Sequence, residues 1–285
     1  EYLTSPLDLR SKFLHYHPHI AIISGIAWDH INVFPTFEAY LETFRKFILS
    51  IQPDGYLIYN SDDEELVKMI NHLPLQIHLI PYKAFDFRVQ NDENFLLYQH
   101  NEYPITIFGS HNFANLKAAF EVGKLVGIAE DDILINFQSF QGAAKRLEKI
   151  KEDKAIQQTI FRDFAHAPSK VSATVKAVRE RYKSRKIIAV FELHTYSSLQ
   201  ENFIEQYQHS LDAADVKILF LDEEALKIKN KQDLDEQWLK AQFADDSIFV
   251  FKNANTLKEK IEKELSGNCV LLLMSSGNFG GISFI

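Results

Sequence analysis

Short apolar runs alternate with amphipathic segments through the second half of the chain, and this alternation constrains its fold more than any other feature. Each apolar run has the length of a strand and is apolar almost throughout, which is typical of parallel strands covered on both faces. The predicted strands are 155–164, 186–193, 216–221, 247–251 and 269–274. The predicted helices are 169–182, 198–213, 233–243 and 256–265. The pattern predicts an α/β domain that binds ligands at the carboxyl ends of its strands.

The first half of the chain predicts another set of strands and helices. The expected strands are 19–26, 56–60, 76–80 and 103–108, and the expected helices are 36–51, 62–73, 116–126 and 130–140. The helix at 36–51 has apolar residues at the spacing of one helix face. Gly142 interrupts the regular patterns on either side of it. We therefore predict two domains, at 1–144 and 145–285.

The composition excludes several classes of protein. Hydrophobic residues make up 46% of the 285 residues, enough for a substantial core, and the net charge of −8 argues against nonspecific binding to nucleic acid. Cys269 is the only cysteine, which excludes an intrachain disulfide and a cysteine-cluster metal site and suits a reducing cytoplasm. No apolar run approaches the length of a membrane span. We expect a cytoplasmic protein with no nucleic-acid or membrane partner, and its oligomeric state stays open.

The segment from Gly109 to Asn115 follows the strand predicted at 103–108 and opens a predicted helix. It places an imidazole and two amides, those of His111, Asn112 and Asn115, where the backbone N–H groups of a helix start have no partner within the helix. Such a position can hold a nucleotide or another anion. Simple capping of the helix is the alternative interpretation.

Four segments resemble, in order, the motifs of the Mur ligases, which are ATP-dependent amide-forming enzymes of peptidoglycan synthesis. His111-Asn112-x-x-Asn115 is similar to the family's Gly-x-His-Asn-x-x-Asn motif, and the pair Asp29-His30 follows the first predicted strand. Residues 140–148 resemble the interdomain signature, and residues 163–168 resemble the carboxy-terminal Asp-Tyr-Ala-His-x-Pro signature. The resemblance spans most of the chain.

The resemblance implies an α/β fold made of the second half of a Mur-type central ATP-binding domain, followed by a Rossmann-like carboxy-terminal domain. The family's central domain begins with a glycine-rich loop ending in Lys-Ser/Thr, which cradles the phosphates of ATP. The 285 residues contain no such loop, and Glu1-Tyr2 matches the end of an acidic motif from the middle of that domain. We therefore expect a fragment that lacks the UDP-sugar domain and is inactive alone.

Two segments resemble one branch of the family, the murein peptide ligases. These segments are 8–16 and 274–282. The branch implies the joining of L-alanyl-γ-D-glutamyl-meso-diaminopimelate to the lactyl carboxylate of UDP-N-acetylmuramate through an acyl-phosphate, in peptidoglycan recycling. UDP-N-acetylmuramate–L-alanine ligation is the first alternative. A noncatalytic Mur-like module that binds a nucleotide or peptide is the second.

The resemblance also implies roles on the nucleotide side. His30 would lie beside Mg²⁺ or its water shell, and Lys145 and Arg146 would act in catalysis near the phosphates of ATP. ATP itself would be contacted by four residues, His111, Asn112, Asn115 and Asp163. The alternatives are a loop histidine bonded to Asp29 for His30, and a solvated charge pair for Lys145 and Arg146. Gly25 and Ala27 depart from the family pattern around the metal.

On the acceptor side, the resemblance implies that a loop at 194–198 receives the incoming amino acid or peptide. The substrate-binding candidates are His166, His194, Tyr196, Ser275 and Gly277. The loop lacks the arginines usual in the alanine-adding relatives. The alternatives are a helix cap for His166 and a tight turn for 275–281. Arg162 and Ala167 depart from the family pattern beside His166.

Overall fold

The computed structural model describes residues 2–222, 226 and 234–282, and it divides into two compact units. The first unit comprises residues 1–88, 94–105 and 110–140. The second unit comprises residues 89–93, 106–109 and 141–285. None of the helices in the described residues is both long enough and apolar enough to cross a lipid bilayer.

The first unit begins with a three-stranded parallel sheet whose strands alternate with helices. The elements are β1 (Ile20–Ile23), α1 (Phe37–Leu49), β2 (Tyr56–Asn60), α2 (Glu64–Asn71) and β3 (His78–Tyr82), and the strand order is β1-β2-β3. Thr36 and Asp63 cap the two helices by accepting hydrogen bonds from the N–H groups of Ala39 and Leu66. The sequence prediction for these five elements is confirmed.

A second small sheet follows, and the sequence prediction for most of it is wrong. Its strands are β4 (Asp86–Gln90), β5 (Glu93–Tyr98) and β6 (Asn101–Ile105), and β5 pairs antiparallel with β6. We predicted a single strand at 103–108. Asn91 and Asp92 both have positive φ between β4 and β5, as a tight hairpin turn requires. Asn-Asp at this point was the signal for the missed strands.

Two helices complete the first unit. They are α3 (Ser110–Leu125) and α4 (Glu130–Ser139), which pack against each other, and α3 also packs against β2 and β3. Gly109 has a φ of +87°, so the chain turns sharply before α3 begins. Both predicted helices are present, but α3 begins at Ser110, six residues before the predicted start at 116.

The described part of the second unit contains strands and helices that alternate along most of its length. In chain order these elements are β7 (Glu148–Asp153), β8 (Gln158–Asp163), α5 (Pro168–Arg181), β9 (Lys186–Glu192), α6 (Glu201–Ile204), β10 (Val216–Phe220), α7 (Glu236–Phe243), β11 (Phe249–Phe251), α8 (Ala254–Glu264) and β12 (Cys269–Met274). The strands form one sheet in the order β11-β10-β9-β12-β8-β7. The five strands from β8 to β12 are parallel, as predicted. Every residue of β12 is buried, as a central strand covered on both faces should be.

Two elements of the second unit differ from the prediction. β7 pairs antiparallel with β8 at the edge of the sheet, and it was not predicted because its sequence is mostly charged and exposed. The helix predicted at 198–213 is instead a series of short turns around the four-residue α6. Its apolar residues are buried at helical spacing, but the backbone leaves the helical region at Gln208, which has a ψ of 134°, and at His209, which has a φ of +60°. The predicted start of the helix at 233 lies outside the described residues.

Candidate functional site

The loop after β1 holds Asp29 and His30 in direct contact. Asp29 is buried, and its carboxylate accepts a hydrogen bond from the backbone N–H of His30 at 2.7 Å. The imidazole Nε2 of His30 lies 3.8 Å from the other carboxylate oxygen, and the ring packs edge-on against Tyr2. The arrangement holds the histidine ring within the loop that follows β1.

Asp63 ties the same loop to the start of α2. One carboxylate oxygen caps α2 through Leu66, and the other accepts the N–H of Ile26 at 2.6 Å. A Cβ atom at Gly25 would lie 3.1 Å from that second oxygen. This contact explains why glycine suits position 25, although it departs from the family pattern. Any larger residue would press on the Asp63 carboxylate.

The residues of this loop could supply only part of the coordination shell of a Mg²⁺ ion. In the part of the chain that the structure describes, no group of three or more His, Cys, Asp or Glu side chains could hold a metal ion. Mg²⁺ commonly binds through one or two carboxylates, water and substrate phosphates, so a partial protein shell suits it. Asp29 and His30 are the residues that would provide that shell here.

The polar motif after Gly109 lies on the first turns of α3. His111 and Asn112 are half-buried and Asn115 is exposed, whereas the intervening Phe113 is fully buried against Phe87 at a ring separation of 4.3 Å. The apolar residues anchor the helix to the core of the unit. The polar side chains are thereby held at the amino terminus of α3, where backbone N–H groups favour anions.

In the second unit, the structure brings together two motifs that are far apart in sequence. Asp163 is buried at the end of β8, and its two carboxylate oxygens accept the N–H groups of Leu147 and Ala165, each at 2.6 Å. The carbonyl of Lys145 accepts the N–H of Phe164 at 2.8 Å. Lys145, Arg146 and Asp163 are therefore parts of one constellation.

The electrostatics of Asp163 follow from its burial. Desolvation raises the pKa of this carboxyl, and the two N–H donors and the nearby Arg146 offset that rise only in part. The guanidinium of Arg146 lies 5.6 Å from the ring centre of Phe164, so its charge is held near the strand end. Lys145 and Leu147 both have positive φ, so the turn between them has a strained shape.

A second carboxylate supports this turn from the other side. Glu148 accepts the backbone N–H of Lys145 and the guanidinium of Arg162, both at 3.0 Å. The hydrogen bond from Arg162 is the main reason why the pKa of Glu148 is lowered. Arg162, which departs from the family pattern, thus has a structural partner.

His166 lies just before α5. Its Nδ1 atom is 2.8 Å from the carbonyl oxygen of Phe164, and its own carbonyl accepts a hydrogen bond from the hydroxyl of Tyr207. The N-cap residue of α5 is Ala167. The ring of His166 is thus oriented by the strand end rather than by a capping position.

Four of the five acceptor-side candidates, all except His166, follow the carboxyl ends of β9 and β12. They lie near a residue that the sequence analysis did not select. This residue is Glu192, which is 2% exposed and accepts hydrogen bonds from the hydroxyl of Ser275 and, at 3.0 Å, from the N–H of Phe279. His194 Nδ1 lies 3.6 Å from its other oxygen, which is an ion-pair distance. We call Glu192, His194, Ser275, Gly277 and Phe279 the carboxyl-edge cluster.

The carboxyl-edge cluster adjoins the Asp163 constellation within the same sheet. The backbone N–H of Ser275 donates to the carbonyl of Asp163 at 3.0 Å. Because β12 lies between β8 and β9, the three strand ends place Asp163, Ser275 and Glu192 side by side. Tyr196, 53% exposed, begins the short turn after His194. The available signal for Glu192 was an acidic residue directly after the apolar run 187–191.

The predicted site residues divide between the two units. His30, His111, Asn112 and Asn115 belong to the first unit, on a loop and a helix. The remaining candidates belong to the second unit, at the carboxyl edge of one sheet or on the loops that follow it: Lys145, Arg146, Asp163, His166, His194, Tyr196, Ser275 and Gly277. This edge is where parallel α/β sheets bind their ligands.

Comparison with known proteins is consistent with this arrangement. Residues 6–123 match the Mur ligase middle domain, and residues 145–277 match the Mur ligase glutamate ligase domain. The UDP-N-acetylmuramate–L-alanine ligase of Caldicellulosiruptor bescii is 31% identical over 234 residues, which cover 77% of this chain and 50% of that protein. The corresponding ligase of Borreliella afzelii is 24% identical over 97% of this chain and 63% of its own length. The chain thus spans about half the length of the first of these relatives.

Solved structures share the fold. The UDP-N-acetylmuramate–alanine ligase of Thermotoga maritima superposes with a TM-score of 0.67 at 17% identity, over 96% of this chain and 60% of that one. A murein peptide ligase from Psychrobacter arcticus gives a TM-score of 0.60 at 18% identity, over 97% of this chain and 58% of that one. The two domain matches together cover most of the sequence, and the chain belongs to the Mur ligase family.

Proposed function

We propose that this chain is part of an ATP-dependent ligase, in which it holds the nucleotide and the amine acceptor. ATP phosphorylates the lactyl carboxylate of UDP-N-acetylmuramate, the acceptor amine attacks the acyl-phosphate, and phosphate leaves. The observation that carries this proposal is the constellation in which Asp163 fixes the turn bearing Lys145 and Arg146 at the carboxyl edge of the sheet. Cationic groups held in fixed positions stabilise the charge of a transferring phosphoryl group.

The residues of the chain have distinct tasks in this proposal. Arg146 binds a phosphate oxygen, because its planar guanidinium suits oxyanions. His111, Asn112 and Asn115 bind the nucleotide at the start of α3, and Asp163 is the nucleotide-contact candidate of the second unit. Asp29 and His30 would lie beside Mg²⁺ or its water shell, and the ion would neutralise charge on the phosphates. Two of the similar solved structures, the MurF ligase of Thermotoga maritima and a folylpolyglutamate synthase of Mycobacterium tuberculosis, are complexes with ADP.

We infer that the acceptor is the tripeptide L-alanyl-γ-D-glutamyl-meso-diaminopimelate. His166, His194, Tyr196, Ser275 and Gly277 form its binding region in this proposal. The loop at 194–198 contains no arginine, unlike the alanine-adding pattern, and the segment 274–282 resembles the peptide ligases. A recycling reaction follows from this acceptor, and the cytoplasm is its expected location.

L-Alanine is the second candidate acceptor, because the curated relatives reported above are alanine ligases. A noncatalytic binding module is the third interpretation. Phosphate release by the full-length protein distinguishes the enzyme from the module. We expect ATP to be consumed only when UDP-N-acetylmuramate and an acceptor are both present. Nucleotide binding without any phosphate release in the complete mixture would support the module.

A further inference from the structure

Glu192 is a buried acidic residue whose surroundings keep it charged. Desolvation raises the pKa of its carboxyl, but interactions with His194, Ser275 and the N–H of Phe279 together outweigh that effect, and the net pKa is lowered. A buried carboxylate is costly unless its oxygens have partners. One oxygen of Glu192 accepts the hydrogen bonds of Ser275 and Phe279, and the other faces His194 Nδ1 at an ion-pair distance of 3.6 Å. The cluster is therefore built around a negative charge.

The side chain of His194 is partly exposed, although one nitrogen of its imidazole is buried. Its Nδ1 atom is buried and faces Glu192, whereas the side chain as a whole is 34% exposed. The exposed part of the side chain therefore consists of atoms other than Nδ1. In the protonated ring, Nδ1–H points to the Glu192 carboxylate, and Nε2–H can donate to a second carboxylate.

The turn after β12 is shaped to leave room for this pair. A Cβ atom at Gly277 would lie 2.8 Å from His194 Nδ1 and 2.9 Å from a carboxylate oxygen of Glu192. The hydroxyl of Ser275 donates to Glu192 and accepts the N–H of Gly277 at 2.6 Å. The same carboxylate therefore organises both the histidine ring and the turn.

The two loops at this edge, 194–198 and 275–281, contain neither lysine nor arginine. His194 is thus the residue in these two loops that can carry a positive charge. We propose that Glu192 is a positioning residue, which holds the Nδ1 edge of His194 and the 275–279 turn so that the opposite edge of the imidazole binds a carboxylate of the incoming acceptor. This inference rests on the proposed function, because it takes the acceptor to be an amine that bears carboxylates.

The test compares binding of two ligands by the 285-residue chain and its Glu192→Gln variant. The ligands are the tripeptide and a form of it whose carboxylates are amidated. We expect wild type to bind the tripeptide at least about tenfold more tightly than the amide, the effect of one hydrogen bond to a charged group. In Glu192→Gln this preference should fall to about twofold or less, because His194 is no longer held by an anion.

Nuclear magnetic resonance of ¹⁵N-labelled histidine reports directly on the ring of His194. If Glu192 only stabilised the fold, its replacement would leave the His194 signals unchanged. His194→Gln assigns the His194 signals by their loss. In wild type, the Nδ1 signal should show a protonated nitrogen, and the tripeptide should shift the Nε2 signal. In Glu192→Gln, the Nδ1 signal should change before any ligand is added.

Two glycine variants provide a matched pair. Gly277→Ala should reduce the preference for the tripeptide as Glu192→Gln does, because its methyl group displaces the Glu192–His194 pair. Gly267→Ala, whose Cβ atom would meet only a carbonyl oxygen at 3.4 Å, should leave the preference unchanged. If Glu192→Gln does not fold, Gly277→Ala still tests whether the Glu192–His194 pair determines the preference for the tripeptide.

The outcomes separate this inference from the proposed function. An unchanged preference and unchanged His194 signals in Glu192→Gln would overturn the role of Glu192 while leaving the acceptor assignment intact. Failure of wild type to bind the tripeptide would contradict the acceptor assignment. In that case the Nδ1 signal still shows whether Glu192 holds the ring.

Discussion

The backbone N–H of Leu147 donates a 2.6 Å hydrogen bond to the buried carboxylate of Asp163, which lies sixteen residues further along the chain. This bond joins the turn that carries Lys145 and Arg146 to the end of β8. The N–H of Ala165 occupies the other carboxylate oxygen. One aspartate therefore fixes the segment that follows the strand and the turn that precedes β7.

Asp163→Asn should destabilise the second unit. The amide has one acceptor oxygen in place of two, so one buried N–H group loses its partner, at a cost of about 1–3 kcal/mol. Urea denaturation monitored by circular dichroism measures the change in the free energy of unfolding. Asp153→Asn is the matched control, because Asp153 is exposed and bonds only nearby N–H groups. If Asp163→Asn and Asp153→Asn lowered the free energy of unfolding equally, the buried hydrogen bonds of Asp163 would not have the role assigned to them.

The contribution of Glu192 to stability should depend on pH. Its pKa is lowered in the folded protein from the ordinary value of 4.5, so its stabilising effect is complete above that value and disappears as the pH falls through the folded pKa. The difference in the free energy of unfolding between wild type and Glu192→Gln should therefore shrink below pH 4.5. Denaturation curves at a series of acidic and neutral pH values measure it. A difference that grows on acidification would contradict the lowered pKa.

Gly123→Ala should destabilise the packing of α3 on α4, although alanine normally favours a helix. The added Cβ atom would lie 2.5 Å from Cδ1 of Ile133, and overpacking of this kind costs about 1–3 kcal/mol. Ile133→Val removes Cδ1. The double variant should therefore be more stable than Gly123→Ala alone, and thermal unfolding of the two single variants and the double variant tests this. If the stability losses of Gly123→Ala and Ile133→Val simply added in the double variant, the two residues would not clash.

Arg146→Ala should lower turnover in the full-length protein far more than it lowers stability. Loss of one group that stabilises charge in a transition state costs about 10²–10³ in rate. Steady-state phosphate release and thermal unfolding provide the two measurements. Arg162→Ala is the control, because Arg162 pairs with Glu148 and is half-exposed. Comparable rate losses in both variants would remove the distinction between a phosphate ligand and a structural ion pair.

The sequence predicted the parts of the fold in which local pattern and tertiary packing agree. The buried parallel strands are continuous apolar runs, and the start of α3 follows a glycine with positive φ, so both had local signals. β7 had none, because an edge strand is stabilised by hydrogen bonds to β8 and needs no apolar face. Residues 198–213 had the periodicity of a helix, but their backbone breaks into turns.

The candidate site also contains residues that the sequence identified and one that only the tertiary structure revealed. Motif resemblance selected Asp163, Lys145 and Arg146, and the structure brings them together at one strand end. Glu192 belongs to no motif that we recognised, and its importance arises from contacts with residues more than eighty positions away. Such a role depends on which strands are neighbours in the sheet, and the linear sequence does not specify that order.

The choice of acceptor is the most direct test of the account as a whole. It is measured as kcat/KM of the full-length protein for the tripeptide and for free L-alanine, at fixed concentrations of ATP and UDP-N-acetylmuramate. A site built for several carboxylates should reject alanine, because its polar groups would be left unpaired. We predict a kcat/KM at least about tenfold higher for the tripeptide, corresponding to one unmade charged hydrogen bond. A higher value for L-alanine would contradict the account and assign the protein to the alanine-adding branch.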